Sequence, residues 1–227
     1  MSLEENFNKA LNLSTKNYTN SELLDMLSFG DIAEKQIAAL LLKEINSSKD
    51  AKILVNNLTG QDGKIREAVA FKINELFLDK KFRPFFDDEI IYSTLFDGIM
   101  DINGNVCRLI VELTLDDIFS SYLAQKLPQK ISEIFVKISN LTDEEKKYVI
   151  SKRNFQLYWS LEALYYCVEK IDENEILDIL TKTSDFDDYT IREKTAKILK
   201  KIFNEKFDYL KTKLKKDTNY YVSRILR

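Results

Sequence analysis

The chain has 227 residues, 44% of them apolar and 31% charged, with a formal net charge of −3 and no histidine. Without histidine, a Ser-His-Asp triad, a Cys-His pair and any histidine-held zinc or iron are excluded within the chain. Five glycines and two prolines, Pro84 and Pro128, are too few for a fold built on tight β-turns and favour long uninterrupted helices.

Cys107 and Cys167 stand far apart, so they form neither a disulfide framework nor a zinc knuckle, and a reducing, cytoplasmic setting is expected. The polar stretch Met1–Asn20 lacks the apolar centre of a signal peptide. The longest apolar run, Ile37 to Leu42, is too short to span a bilayer. No catalytic or cofactor-binding motif stands out. The expectation is a non-enzymatic protein with no cofactor, no metal and no catalytic residue.

In chain order, residues 1–20 read as an N-terminal cap helix carrying Leu3, Phe7, Leu11 and Leu13. Thr19 to Glu22 then supplies N-cap candidates. Gly30 ends that helix, and Asp31 opens the next, with Ile32, Ala33, Ile37, Leu40, Leu41 and Ile45 at helical spacing. A second hairpin runs from Ser48 through Leu54, Leu58 and Gly60 into a helix that Asp62 can cap, with Arg66 one turn on. Phe82–Met100 reads as a further helix with Pro84 near its start. Asn103–Phe119 reads as its partner, carrying Arg108, Ile110, Val111, Leu115, Ile118 and Phe119; because Gly104 replaces Asp, Asn103 is the expected cap.

Pro128 is expected to begin the next helix, through Ile131, Ile134, Phe135 and Ile138. Asn140 to Asp143 reads as a loop holding a new N-cap. Thereafter the register survives only as Ala163, Leu164, Val168 and Ile171, after an insertion. Residues 174–203 return to the regular pattern, and residues 204–227 read as a C-terminal capping hairpin led by Asp217.

The regular stretches copy one another. At a shift of about 126, Asp188, Ile191, Arg192, Glu193, Ala196, Leu199, Ile202 and Phe203 fall on Asp62, Ile65, Arg66, Glu67, Ala70, Ile73, Leu76 and Phe77, and about 126 is three steps of about 42, a helical-hairpin repeat length. Small Ala68, Ala70 and Ala196 suit close helix approach, and the Ile/Leu stripe suits burial between paired helices. An Asp, then Ile-Arg one turn on, then small residues, resembles the second helix of HEAT repeats. The resemblance implies an all-α fold, a right-handed α-α superhelix of about five to six HEAT-like hairpins forming a single domain over residues 1–227. It also implies a ladder between neighbouring repeats, drawn from Asp62, Arg66, Arg108, Asp188 and Arg192.

The function such a fold implies is a protein–protein interaction scaffold whose concave face binds another protein. The densest aromatic cluster is Phe155, Tyr158, Trp159, Tyr165 and Tyr166, with Glu162 among them. It reads either as a recognition patch or as packing between helices. Tyr158, Trp159, Glu162 and Tyr165 are the expected contacts, and Arg192, Lys200 and Lys201 the expected charged flank, because residues 191–227 are strongly basic. That basic end reads equally as a solvated helix face. A second reading is a nucleic-acid binder related to HEAT-like glycosylases of alkylated bases, suggested by Trp159 and Glu162. Against it, Ala163 stands where the carboxylate four residues after the tryptophan is expected, and overall acidity opposes phosphate binding. The sequence leaves the partner's identity and the oligomeric state open.

Overall fold

A computed structural model describes residues 3–227, with side chains from Phe7 onward; Met1, Ser2 and the side chain of Leu3, assigned to the cap, lie outside it. Among the described residues the chain is helical, with no strand. It divides into two compact units, one ending at Leu113 and one beginning at Thr114, where the repeat reading expects one domain.

The first unit holds α1 (Leu3–Ser14), α2 (Asn20–Phe29), α3 (Ile32–Leu41), α4 (Ser48–Val55), α5 (Gly63–Leu78), α6 (Glu89–Ile99) and α7 (Gly104–Glu112). The second holds α8 (Asp117–Ser139), α9 (Asp143–Cys167), α10 (Glu173–Ser184), α11 (Tyr189–Lys201), α12 (Asp208–Lys215) and α13 (Tyr220–Ser223). Each of α2 to α11 starts at a side chain that accepts a backbone N–H of the first turn. These caps satisfy groups that a helix leaves unpaired, which explains why the chain breaks into helices at those points. Thr19, Asp31 and Thr142 form reciprocal capping boxes with Glu22, Glu34 and Glu145.

In the first unit α2 packs on α3 and α6 on α7, with a lighter contact between α4 and α5; α3, α5 and α7 touch in turn, as do α2, α4 and α6. α1 lies against α3. In the second unit the pairs are α8 with α9, α10 with α11 and α12 with α13, with α9, α11 and α13 in one row and α8, α10 and α12 in another. Ala68, Ala70 and Ala196 are buried, as close approach requires. Gly98 serves the same end: a Cβ there would lie 2.8 Å from the buried Leu58 side chain.

Several local expectations are corrected. Phe82–Met100 is not one helix; a 3-10 turn at Arg83–Phe86 precedes α6, which Asp88 caps. The helix from Asn103 stops at Glu112, and a 3-10 turn over Leu113–Leu115 leads to α8, so Ile118 and Phe119 belong to the next helix. Pro128 does not begin a helix but lies inside α8, which Asp116 caps 12 positions earlier. The apparent insertion takes the form of two long helices, α8 and α9, of 23 and 25 residues. Finally α11 ends at Lys201, and Phe203, aligned with the buried Phe77, is 97% exposed.

Candidate functional site

Two arginine clamps organise the units. In the first, Arg66 near the start of α5 donates through Nε and Nη2 to Asp101 at 2.7 and 3.1 Å, and through Nη1 to the carbonyl of Gln61. Asp101 precedes α7 and also accepts the N–H of Asn103, the residue that caps that helix. In the second, Arg192 near the start of α11 donates to Asp217 at 2.7 and 3.2 Å and to the carbonyls of Phe186 and Asp187. Asp217 in turn accepts the N–H of Asn219, the cap of α13.

Asp62 and Asp188 therefore cap their own helices, and the acids that receive the arginines lie in the segments that lead into α7 and α13. Arg108 does not extend this pattern in the bonds it makes, since it pairs along α7 with Glu112 at 2.8 Å. Arg192 is spent in its clamp, and its side chain is only 16% exposed, so it is not an open flank. The clamp holds the Asp217 carboxyl below its usual range, chiefly through the hydrogen bond from Arg192.

The face shared by α9 and α11 gathers most of the other expected contacts. Phe155, Tyr158, Trp159 and Tyr165 are half-buried and Tyr166 is exposed, so the cluster is not closed core. Tyr158 and Tyr165 each lie beneath a lysine of α11: Lys194 Nζ sits 4.4 Å from the Tyr158 centroid, and Lys201 Nζ sits 5.3 Å from that of Tyr165. Lys194 is itself buried and pairs with Glu162, so Glu162 is a counter-ion for a desolvated lysine. Trp159 packs edge-on against Phe155 and Tyr158.

Glu162, Tyr165, Lys200 and Lys201 line one hollow of about 550 Å³ with Lys197 and Phe203. Spacing along α9 and basic residues in the last turn of α11 made four of these visible in sequence. Phe203 was missed because the repeat register assigned it to the buried stripe; the paired lysines followed by Asn204, which caps the next 3-10 turn, were the available stop signal. A second exposed group, Tyr189, Tyr220 and Tyr221 with Arg224 stacked 5.0 Å from the Tyr221 centroid, was also missed, because its members come together only when α11 meets α13.

The basic end is largely neutralised. Lys194, Lys197, Lys201, Lys206 and Lys213 pair with Glu162, Glu193, Glu169, Glu173 and Asp185. Asp185 is thus held by Lys213, and the nearby Asp188 caps α11. Both cysteines are buried, and burial pushes each thiol up to about 12. Native protein treated with a thiol-specific chromogenic disulfide at pH 8 is expected to stay unmodified, because the reactive thiolate is scarce and shielded. In guanidinium both thiols should react; rapid native labelling would contradict the burial.

These features define an all-α protein of paired helices in two compact units, with no helix among the described residues long and apolar enough to cross a membrane. No family model matches the sequence, and no curated protein matches it. Among solved structures, the crystal structure of an engineered protein, a Northeast Structural Genomics Consortium target, is similar at 17% identity; the match covers 92% of this chain and 94% of that one, with a TM-score of 0.42. At that score the two backbones differ too far for one to assign the other's fold.

Proposed function

We propose that the chain is a non-enzymatic, HEAT-like helical-repeat protein, a right-handed superhelix of hairpins that binds another protein on the face formed by α9 and α11. The repeat reading is supported by the two arginine clamps, which join equivalent positions in each unit through the same bidentate geometry. The binding reading is carried by one observation: the Tyr165 ring, the exposed Lys197 and Lys200 and the almost fully exposed Phe203 converge on a single open hollow. A tyrosine beside an exposed apolar ring in a concavity suits an anchoring contact with another protein, and lysines around it add charge complementarity at the rim. A nucleic-acid ligand is disfavoured because most lysines here are already neutralised, which leaves few charges to displace counter-ions.

A photo-crosslinking amino acid at Tyr165, compared with one at Tyr148, tests this. Tyr148 is 81% exposed near the start of α9 and serves as a control for indiscriminate capture. In a lysate of the source organism, the 165 position is expected to give discrete adducts that survive nuclease and are absent at 148. Equal adducts at both positions would reject the site, and nuclease-sensitive adducts would favour the nucleic-acid reading.

A further inference from the structure

We propose that two adjoining hollows around Phe203 take a peptide segment of the partner in which one apolar side chain is flanked by acidic residues; this rests on the protein-binding reading above. The first hollow, about 390 Å³, lies where the α9–α10 and α11–α12 connections meet, with Val168, Ile176 and Phe207 as its buried floor. Ile171 and Ile202 line its half-buried sides. The second is the hollow of Tyr165, Lys197 and Lys200 already described. Lys201 and Phe203 line both, so the two hollows adjoin, and the exposed phenyl ring at their shared edge is the ridge of the proposed site.

Charge selects the occupant. The carboxylates facing the hollows are already matched: Glu162 by Lys194, Glu169 by Lys201 at 3.4 Å and Glu173 by Lys206 at 3.6 Å. Lys197 is paired with Glu193, while Lys200, exposed in the last turn of α11, has no ion-pair partner among the described residues. The uncompensated charge at the site is therefore positive, and an anionic flank complements it. The apolar floor beside it fits an aliphatic or aromatic side chain, which a phosphate backbone does not offer.

The ridge has a local cause. α5 continues through Phe77 to Leu78, which keeps that ring inside, whereas α11 stops at Lys201 and Ile202 turns to extended backbone at φ −88°, ψ 119°. The turn leaves Phe203 exposed, where it lines both hollows. A phenylalanine left in water forgoes the stabilisation that burial gives its counterpart.

The test uses the full chain and fluorescein-labelled peptides with a central leucine flanked by Asp and Glu, by Ser, or by Lys. Fluorescence anisotropy is expected to rank them acidic, neutral, basic, with the acidic set about tenfold tighter than the serine set. Phe203→Ser and Lys200→Glu should each weaken the acidic peptide by about fivefold or more. Both side chains are exposed, and an unchanged melting curve shows that the variants fold. Equal affinity across the three sets, or affinity indifferent to both substitutions, overturns the proposal. So does sedimentation showing self-association that Phe203→Ser abolishes, because the groove then holds a second copy of the chain. Position-specific crosslinking at Tyr165 without peptide preference would keep the protein-binding reading and remove only this ligand class.

Discussion

Phe77→Ala is expected to lower stability by about 3–5 kcal/mol, and Phe203→Ala, at the aligned position, to change it by less than about 0.5 kcal/mol. The two residues occupy the same place in the internal alignment, so sequence alone assigns them equal cost. Phe77 is 1% exposed, its ring 5.3 Å from that of Phe86, with the Arg83 guanidinium 4.4 Å from its centroid. Truncation there removes buried area and leaves a cavity that Phe86 and the neighbouring helices cannot fully close. Phe203 touches mostly water, so its loss opens no cavity. Urea unfolding of the two variants, with slopes compared to the parent chain, measures both costs. A large loss at Phe203 would show that its ring is covered in solution and would remove the ridge on which the peptide groove depends.

The same pair shows what the sequence discloses and what it conceals. Helix starts were legible because capping is local: Asp31, Asp62, Asn103 and Asp188 announce themselves within a few residues. Helix ends were less so. The stripe carried the expected helices past Glu112 and Lys201, where a 3-10 turn and an extended residue intervene. Pro128 was read as a first-turn residue, since it lacks the N–H that helix interiors use. Asp116 and the continuous stripe Phe119, Leu123, Leu127, Ile131 and Ile134 carry α8 through it instead, and burial of that stripe offsets a penalty of roughly 3 kcal/mol.

Long-range partners were the least visible. Arg66 stands one turn from Asp62, which suggests a pair along the helix, yet its guanidinium reaches Asp101, 35 residues on. Lys194 read as one more surface cation, and only packing of α9 on α11 shows that it is buried over Tyr158 and bound to Glu162. Lys200 and Lys201 were legible as a basic helix end, but their different fates were not: Lys201 is drawn onto Tyr165 and Glu169 while Lys200 stays free. Periodicity fixes which face a residue occupies, not which partner comes to meet it.

Asp217→Ala is expected to cost roughly 2–3 kcal/mol, because it strands the Arg192 guanidinium and also removes the acceptor for the Asn219 N–H. The side chains of Asp217 and Arg192 are 9% and 16% exposed, so water replaces the lost bonds poorly. Asp178→Ala is the matched control: its pair with Lys182 lies along α10 with both side chains about half exposed, and its loss should cost less than about 0.5 kcal/mol. Asp217→Asn, which retains an oxygen for Asn219 but not the charge, should fall between. The sign of the pH dependence follows from the lowered Asp217 carboxyl. Its stabilisation is present above the unfolded-state value of about 3.9 and is lost as pH falls through the lower folded value. The stability gap between parent and Asp217→Ala should therefore be constant from neutral pH to about pH 5 and shrink on further acidification. A gap independent of pH would mean that the carboxylate's charge contributes nothing, leaving the bond to Asn219 as the whole effect. Asp101→Ala, which breaks the same bidentate geometry with Arg66 at exposures of 9% and 14%, should carry a similar stability cost at neutral pH in the first unit, which makes the clamp a feature of both units and not of one hairpin.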